Sequence, residues 1–341
     1  MTNSTRFYIN GKFLCQKGTG VQKFAIGVSL ALQKTHPEIV VICPKGKYDV
    51  QGLKVKRSGL GSKFFWEQIW LSLFILFHPH SILINLCNSA PLLIRRQIVT
   101  IHDLAFLKDK AWFNSLFRLW YKFLIPRICK QSLEIVTVSN YIKNEILHQY
   151  SVKPEKVNVV PNGVPKMDFD EIKPFPFKYI FLTGIYNPRK NASFAISQLP
   201  ELKKRNYHIV GVGADMEFFG NIEFIRDENL HLFKYVDDKN YYSLMKHAEA
   251  LVFPSGYEGF GIPVLEALIL RTPVIVPDLK VYRESFDELP LYYEADNAKS
   301  FLSSLDKIDC YQPDINELSH LKNKYTFDKA ADILSDIIKH Y

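Results

Sequence analysis

The sequence has few cysteines and no long apolar run. These two features argue against a disulfide-rich secreted protein and against a transmembrane protein. Its five cysteines among 341 residues are widely spaced, without a Cys-x-x-Cys pair: Cys15, Cys43, Cys87, Cys129 and Cys310. This usage favours a reduced, cytoplasmic setting and predicts no structural metal. The longest apolar run, residues 69–77, is far shorter than the about 18 residues that a transmembrane helix needs. Residues 1–10 also lack the apolar core of a signal peptide.

Repeats and low-complexity segments are also lacking, whereas basic residues are abundant in one half of the chain. The length and the 47% hydrophobic content suit two globular domains. Residues 1–165 carry a net charge of +14, from 22 Lys+Arg and 8 Asp+Glu, and residues 166–341 carry −6. This asymmetry indicates an anionic partner for the first half, either a membrane surface or a nucleic acid. Because the basic residues are scattered and no nucleic-acid motif accompanies them, we expect peripheral contact with an anionic membrane and no nucleic acid.

Short apolar runs alternate with helical patterns along the first half of the chain. These runs are residues 7–9, 39–43, 82–84, 98–101 and 135–138. The alternation predicts a parallel sheet covered by helices, so the expected fold class is α/β. The proline-rich stretch 154–178 is typical of a linker and places the predicted domains at residues 1–165 and 166–325.

The most informative stretch, residues 251–270, runs from an apolar strand through a glycine-rich turn into a helix. Gly256, Gly259 and Gly261 let the backbone approach a ligand closely, and Pro263 suits the first helical position because no amide donor is needed there. The free amides and the positive dipole end of such a helix can hold a phosphate or a sugar hydroxyl. The stretch therefore predicts a nucleotide-sugar site.

Two glutamates, Glu258 just before this helix and Glu266 in its first turn, are candidate sugar ligands. A hydrolase acid/base pair fits less well, because eight helical residues span about 12 Å whereas glycosidase carboxyls face each other at roughly 5 to 9.5 Å. A carboxylate accepts hydrogen bonds from both hydroxyls of a vicinal diol, as in a sugar or a ribose. The alternative is that both glutamates merely complement the helix N-terminus.

The motif Tyr-Glu-Gly-Phe-Gly-Ile-Pro-Val-Leu-Glu at residues 257–266 resembles the Glu, seven residues, Glu signature of family-four retaining glycosyltransferases. Further similar segments follow the family's order along most of the chain, at residues 17–23, 100–104, 135–139, 159–164 and 184–191 and in the last helix. The resemblance implies the GT-B fold, with two Rossmann-like domains facing each other across a cleft. It also implies that the final helix, residues 326–341, packs back on the first domain.

The resemblance assigns roles to residues of the second domain. Glu258 would hold the donor sugar and Glu266 the ribose of the nucleotide. Arg189 and Lys190 would neutralise the departing diphosphate, a task that suits paired cations at a strand end, although a solvated Arg-Lys pair is the alternative. The other donor-binding residues that it implies are Gly259, Phe260, Gly261, Ile262, Pro263 and Val264.

Four residues of the first half are also candidates. His102 and Asp103 directly follow the strand at residues 98–101, at the end where open α/β sheets bind ligands. By resemblance His102 contacts the donor sugar or the acceptor, and Asp103 is a candidate base for the acceptor hydroxyl. A solvated loop histidine is the alternative. Gly18 and Gly20 precede a helix and by resemblance lie beneath the donor diphosphate, whereas on their own they predict only a turn.

Residues 112–127 mix bulky aromatic side chains with Arg118, Lys122 and Arg127 at near-helical spacing. Such a segment either lies on a membrane surface or packs as a helix against the sheet, and the sequence favours neither. The same two alternatives hold for residues 64–70.

The expected activity is retaining transfer of a hexose from a nucleotide-diphosphate sugar to a glycan or lipid-linked acceptor, in bacterial surface polysaccharide synthesis. The resemblance favours mannose and an O-antigen or capsule. No Asp-x-Asp motif follows a predicted strand, and Asp237-Asp238 is better explained as a helix cap, so we expect no cofactor and no metal. The alternatives are a sugar-nucleotide epimerase or hydrolase of the same fold, and a nucleic-acid-binding module.

Overall fold

The computed structural model divides the described part of the chain into two compact units. The first contains Met1–Leu104, Leu119–Pro165 and Tyr325–Tyr341, and the second contains Ala105–Arg118 and Lys166–Lys324. The residues described are 5–16, 19–46, 52–61, 63–213 and 226–341. Each unit has its own sheet and its own core.

Seven parallel strands form the sheet of the first unit, in the order β3-β2-β1-β4-β5-β6-β7. They are β1 (Arg6–Asn10), β2 (Val40–Cys43), β3 (Val55–Arg57), β4 (Ser81–Asn85), β5 (Gln97–Ile101), β6 (Glu134–Thr137) and β7 (Val157–Val159). Every residue of β4 and β5 is buried, as expected for central strands with helices on both faces. The sequence predicted five of the seven strands and missed the three-residue β3 and β7, which contain too few apolar residues to form a pattern.

Helices cover this sheet and close its core. They are α1 (Gly20–Thr35), α2 (Lys63–Phe65), α3 (Ser72–Leu76), α4 (Ser115–Gln131), α5 (Asn140–Gln149) and the final α13 (Phe327–Ile338). A π-helical turn, Trp66–Leu71, joins α2 and α3 into one helical stretch. Ser139 caps α5 by accepting a hydrogen bond from the Ile142 amide.

The last helix packs along the first one. At Gly27 of α1 an added Cβ would lie 2.4 Å from the ring of Phe327, so the two helices approach as closely as they do because no side chain intervenes. Ala330 and Leu334 of α13 join Val28 of α1 in one buried core. The C-terminal helix therefore lies in the first unit, on the sheet from which the chain starts.

Six parallel strands form the sheet of the second unit, in the order β10-β9-β8-β11-β12-β13. They are β8 (Tyr179–Thr183), β9 (His208–Val212), β10 (Leu230–Phe233), β11 (Ala250–Val252), β12 (Val274–Pro277) and β13 (Leu291–Tyr293). The order reverses between β8 and β11, and the carboxyl ends of strands at such a reversal frame the crevice in which open α/β sheets bind ligands. In the first unit the same reversal occurs between β1 and β4.

Seven helices belong to the second unit among the residues that the structure describes. They are α6 (Ala192–Ser197), α7 (Leu199–Lys204), α8 (Asp238–Lys246), α9 (Ile262–Ile269), α10 (Lys280–Phe286), α11 (Ala298–Leu305) and α12 (Ile315–Lys324). Asp237 caps α8 by accepting a hydrogen bond from the Asn240 amide at 2.8 Å. The prediction that Asp237 is a helix cap is thereby confirmed.

Residues 105–118 differ from the prediction, which placed them in the first domain. They cluster with the second unit, where the Trp112 ring stacks against Tyr257 with ring centroids 6.5 Å apart. Lys108 Nζ lies 4.9 Å from the centroid of the same tyrosine ring. The predicted boundary followed the order of the chain, whereas this short segment contacts residues of the second unit that are distant in sequence.

Candidate active site

The candidate site forms where two loops leave neighbouring strands of the second unit. Strands β8 and β11 pair in parallel, with Ala250 opposite Ile180. The loop at residues 184–191 and the loop at residues 253–261 therefore leave adjacent strand ends. Because the strand order reverses at this place, it is the expected ligand crevice of the sheet.

The loop at residues 253–261 needs glycine where it enters α9. Gly261 caps the helix with φ 103°, a left-handed conformation that side chains rarely adopt. A Cβ at this position would also meet the Tyr282 ring at 2.8 Å. Helix α9 begins at Ile262, one residue before the predicted start, and Pro263 lies in its first turn.

Glu258 lies buried at the centre of this loop, where two side chains donate hydrogen bonds to its carboxylate and a third, Arg189, forms an ion pair with it. Lys190 Nζ is 2.6 Å from Oε1, Arg189 Nη1 is 3.0 Å from Oε2, and Ser255 Oγ donates to Oε1 at 2.6 Å. The alternative that Glu258 merely complements the helix N-terminus is therefore wrong. Its charge is balanced by two cations of the neighbouring loop.

Local geometry in the first loop holds both cations in place. The side chain of Asn187 accepts a hydrogen bond from the Arg189 amide at 3.1 Å and so caps the short 3₁₀ turn Pro188–Lys190. Arg189 Nη1 also donates to the Tyr257 carbonyl at 2.7 Å, and the Arg189 carbonyl accepts from the Gly256 amide at 3.1 Å. The two loops are thus joined in both directions. The alternative of a solvated Arg-Lys pair is wrong.

The electrostatics of Glu258 follow from this arrangement. Burial by itself would raise the pKa of Glu258, but the charges of Arg189 and Lys190, with hydrogen bonds from Lys190 and Ser255, outweigh burial and hold the pKa at about 2. The carboxylate is therefore ionised at every physiological pH, and it can only accept hydrogen bonds.

This pKa predicts an acid-dependent contribution to folding. The pKa of Glu258 lies below its ordinary value of 4.5, so the stabilisation is fully present above about pH 4.5 and is lost as the pH falls toward about 2. The difference between the ordinary pKa of 4.5 and the value of about 2 in the folded protein corresponds to about 3 kcal/mol of folding free energy. We expect the free energy of unfolding of the wild type, relative to Glu258→Gln, to decrease over this pH window in urea titrations. The exposed Glu317→Gln serves as the control, and a wild-type advantage that does not change with pH would contradict the prediction.

Glu266 lies deeper than the sequence suggested. Because α9 starts at Ile262, this residue is in the second turn of the helix, not the first, and it is only 2% exposed. The Tyr242 hydroxyl donates to its Oε1 at 2.9 Å. Burial and the neighbouring Glu266 charge both raise the pKa of Tyr242, so the hydroxyl keeps its proton and remains a donor. A role in complementing the helix N-terminus is therefore excluded for Glu266 as well.

His102 is buried at the carboxyl end of β5 in the first unit, so the alternative of a solvated loop histidine is wrong. Its Nε2 is 2.9 Å from the Leu86 carbonyl, and its ring packs edge-on against Phe24. Burial lowers the pKa of His102, although the Leu86 bond and the Asp103 charge oppose this shift. Because a carbonyl only accepts, Nε2 carries the proton of the neutral ring and Nδ1 carries the lone pair. Asp103 beside it is half-buried.

The sequence did not single out a polar cluster at the strand-order reversal of the first unit. The side chain of Asn10, the last residue of β1, donates to Glu67 at 2.9 Å and to Asn85, the last residue of β4, at 2.9 Å. Lys12 Nζ is 2.7 Å from the buried Glu67 carboxylate and 3.2 Å from Ser89 Oγ. The cluster fixes the two strand ends that border the expected ligand crevice of this sheet.

Two family models match adjoining parts of the chain. The model described as Glycosyltransferase Family 4 matches residues 18–166, and the model described as Glycosyl transferases group 1 matches residues 165–308. The chain is a glycosyltransferase that combines a family-four part with a group 1 part. Its two Rossmann-like sheets are those of the GT-B fold, so the predicted family, fold class and enzyme type are confirmed.

The glycosyltransferase is similar to known proteins, and the fraction of each protein that aligns with it differs. It is 26% identical to the O-antigen chain mannosyltransferase RfbU of Salmonella typhimurium, over 96% of this chain and 98% of that protein. It is 25% identical to the serotype-specific mannosyltransferase WbdA of Escherichia coli, over 69% of this chain but only 32% of WbdA. Anabaena Alr3699/HepE, solved in complex with UDP and glucose, has a similar fold, with a TM-score of 0.71, 11% identity and coverage of 99% and 100% of the two chains.

The structure of the glycosyltransferase brings some predicted site residues together and separates others. Glu258, Arg189 and Lys190 converge in the second unit, whereas His102 and Asp103 belong to the first. Around Glu258, Gly259 is buried, and Ile262 and Pro263 are half-buried. Phe260 and Val264 are buried in the core, so they can contribute to donor binding only through their backbone. In the first unit, Gly20 is the first residue of α1, and Gly18 lies outside the described residues.

Sequence reasoning missed several residues that shape the glycosyltransferase site. Ser255 lies three residues before Glu258 in the glycine-rich loop and donates a hydrogen bond to it. A hydroxyl so close to the glutamate in sequence could have indicated this contact. Tyr242 and Trp112 left no such signal, because their partners Glu266 and Tyr257 lie far away in sequence.

Proposed function

We propose that this glycosyltransferase moves a hexose from a nucleoside-diphosphate sugar to a hydroxyl of a glycan acceptor, with retention of the anomeric configuration. The observation that supports this best is the convergence of Arg189 and Lys190 on the buried Glu258, at the end of β8 and beside the N-terminus of α9. The two cations and the helix N-terminus suit the anionic diphosphate of such a sugar donor. The ionised carboxylate of Glu258 suits the hydroxyls of the sugar, because it accepts hydrogen bonds.

In this proposal Arg189 and Lys190 stabilise the diphosphate as it leaves. Negative charge grows on the diphosphate when the bond to the sugar breaks, and cations that are already in place stabilise that charge without reorganising. Glu258 holds both cations in place, so each can turn part of its hydrogen bonding toward phosphate while it stays near the carboxylate. Because these groups supply the positive charge, we propose that the enzyme works without a metal.

Glu258 then accepts hydrogen bonds from the donor sugar, and Glu266 from the ribose. Glu258 remains ionised because the pKa is about 2, which suits the two oxygens to neighbouring sugar hydroxyls. The Tyr242 hydroxyl donates to one oxygen of Glu266 and so contributes to the orientation of that carboxylate. In the first unit, His102 offers a lone pair at Nδ1 to a sugar hydroxyl, and Asp103 is the proposed base for the acceptor hydroxyl.

The role of Glu266 predicts separate effects on nucleotide binding and on folding. Glu266→Ala should weaken free nucleoside-diphosphate binding and also cost about 1–3 kcal/mol of stability, because the buried Tyr242 hydroxyl loses its acceptor. Tyr242→Phe keeps the carboxylate but removes one of the hydrogen bonds that orient it, so nucleotide affinity should fall less, by roughly three- to tenfold. Calorimetry with nucleoside diphosphate measures the affinity, and urea unfolding measures the stability.

The matched control for these variants is Tyr311→Phe, which also removes a tyrosine hydroxyl that is bonded in the second unit, to the Leu289 carbonyl. If both Glu266→Ala and Tyr242→Phe left nucleotide affinity unchanged, Glu266 would stabilise the core of the unit and would not bind the ribose.

The relatives guide the choice of sugar and acceptor. RfbU and WbdA are named as mannosyltransferases and RfbU as an O-antigen enzyme, so we propose a mannosyl donor, guanosine-diphosphate mannose first. We further propose that the acceptor is a lipid-linked glycan of a bacterial surface polysaccharide and that transfer occurs at the cytoplasmic face of the membrane.

A donor screen followed by a transfer assay tests the proposal. A ligand at 100 times its dissociation constant stabilises the folded protein by about 2.7 kcal/mol, so thermal shifts with a panel of nucleoside-diphosphate sugars identify the donor. Transfer to a glycan acceptor should then continue in EDTA and yield a product with the donor's anomeric configuration by NMR. Sugar release or epimerisation at full rate without acceptor would support the hydrolase or epimerase alternative instead. An inverted product would refute retention.

A further inference from the structure

An apolar stripe runs along the exposed side of residues 63–76 in the first unit. Its members recur every three or four residues, which places them on one face of a helix. They are Phe65, Ile69, Leu73 and Leu76, with exposed fractions of 59%, 54%, 47% and 55%. Phe77, 80% exposed, ends the stripe. The exposed face of a helix in water is normally polar, so an apolar stripe of this length indicates contact with something other than water.

The opposite face attaches this helical stretch firmly to its unit. Trp66, Leu71 and Ile75 are buried in a core cluster with Leu83 of β4. The Trp66 Nε1 group also donates to the Ser58 carbonyl at 2.8 Å. The stretch is therefore apolar on both sides, with one side already packed against the sheet. The exposed stripe is not needed for that packing.

Helix α4 extends the apolar surface and adds positive charge to it. Phe64 packs edge-on against Trp120 of α4, with ring centroids 4.9 Å apart, so the two helices adjoin. Leu119 and Phe123 of α4 are exposed, whereas the other face of α4 is buried. Three exposed basic residues follow on the outward side of the same helix: Lys122, Arg127 and Lys130. The Arg127 guanidinium lies 3.6 Å from the centroid of the Phe123 ring.

We propose that residues 63–77 together with Leu119–Lys130 of α4 form a surface that docks on an anionic lipid bilayer. Apolar side chains flanked by Lys and Arg are the composition of helices that lie in the plane of a membrane interface, with the rings inserted and the charges at the headgroups. This surface belongs to the half of the chain that carries a net charge of +14. No helix among the described residues is long and apolar enough to cross a membrane.

Charge favours a bilayer over a second copy of the chain as the occupant. A twofold dimer places the same patch on both subunits, so the positive charge of Lys122, Arg127 and Lys130 would be brought against a patch of the same sign. Anionic headgroups neutralise these charges and leave the apolar stripe to the acyl boundary. The inference rests on the proposed function only in placing a lipid-linked acceptor beside the enzyme, because docking itself requires no substrate.

Flotation of the full chain with vesicles tests this surface. We expect binding to phosphatidylcholine vesicles that contain phosphatidylglycerol, and much weaker binding to phosphatidylcholine alone. The variant Lys122→Gln/Arg127→Gln/Lys130→Gln should bind anionic vesicles on the order of a hundredfold less, at about fivefold for each charge removed. The variant Ile69→Gln/Leu73→Gln should lose at least about tenfold, and its residual binding should be more sensitive to salt.

Matched controls lie on the second unit. Ile172→Gln/Ile315→Gln removes two aliphatic side chains that are more exposed than Ile69 and Leu73, and Lys280→Gln/Lys299→Gln/Lys322→Gln removes three exposed charges. Both controls should bind vesicles as the wild type does. All of the changed positions are exposed, so we expect unchanged thermal unfolding, and transfer to a soluble acceptor should persist in every variant. That assay separates a failure of docking from a failure of the proposed transfer.

Three results would overturn the proposal. The first is equal binding to anionic and neutral vesicles, and the second is binding that neither patch variant reduces. The third is a concentration-dependent dimer in analytical ultracentrifugation that Ile69→Gln/Leu73→Gln dissociates, since the stripe would then be a contact between copies of the chain.

Discussion

Replacing Glu258 with Gln is expected to slow sugar transfer by about a hundredfold to ten-thousandfold, while nucleoside-diphosphate binding stays equal or becomes tighter. The amide keeps the shape of the side chain but loses its charge and one acceptor oxygen. If two charge-assisted hydrogen bonds to sugar hydroxyls strengthen in the transition state, their loss costs about 3–6 kcal/mol. Nucleotide binding responds in the opposite direction, because Arg189 and Lys190 lose their carboxylate partner and become more available to phosphate.

Steady-state transfer rates and calorimetry with free nucleoside diphosphate measure the two effects of Glu258→Gln. Glu317→Gln on the exposed face of α12 controls for the loss of one negative charge in the same unit. Transfer at the wild-type rate would remove Glu258 from the site. A large loss of nucleotide affinity would instead assign Glu258 to the nucleotide, and the roles of Glu258 and Glu266 would have to be exchanged.

The double variant Arg189→Ala/Lys190→Ala is expected to lose about a hundredfold to ten-thousandfold in transfer, and each single variant at least about tenfold. Each cation contributes a charge-assisted bond of about 1.5–3 kcal/mol to the leaving diphosphate. In contrast to Glu258→Gln, these variants should also bind nucleoside diphosphate more weakly. The two sets of variants therefore move nucleotide affinity in opposite directions, which a general disturbance of the loop does not explain.

Because Arg189 and Lys190 form ion pairs with Glu258, replacing them should also lower the stability of the folded protein. Removing a cation leaves a buried carboxylate with fewer partners, and breaking such a pair typically costs about 3–5 kcal/mol. Stability must therefore be measured beside turnover, and rates compared at a temperature at which the variants remain folded. Lys204→Ala is the control, since it removes a cation from the exposed pair with Glu201. Unchanged transfer in both single variants would falsify the assignment of Arg189 and Lys190.

The sequence predicted the parts of the site that lie within one loop. Three glycines and a proline between an apolar strand and an apolar helix indicated how the backbone passes from β11 into α9, and the structure agrees to within one residue. Such local patterns are readable because turn and helix preferences depend mainly on the residues themselves. The same is true of Asp237, which caps α8 as predicted.

Contacts between residues that are distant in sequence could not be predicted from such local patterns. The sequence placed Arg189 and Lys190 near the diphosphate but did not pair them with Glu258, and that pairing exists because β8 and β11 are neighbours in the sheet. The depth of Glu266 and its bond to Tyr242 depend in turn on how α8 and α9 lie against the same strands.

The α/β class, the glycosyltransferase family and the identity of the charged residues could be predicted from the amino-acid sequence, because each of these is expressed in local pattern and residue order. How those residues are used depends on the folded chain. Strand order brings two loops together around Glu258, and residues 105–118, including Trp112 with its contact to Tyr257, belong to the second unit. Helix packing also left Ile69 and Leu73 outside while it buried Trp66. A sequence lists which side chains are apolar or charged, but which of them meet depends on the free energy of packing the whole chain.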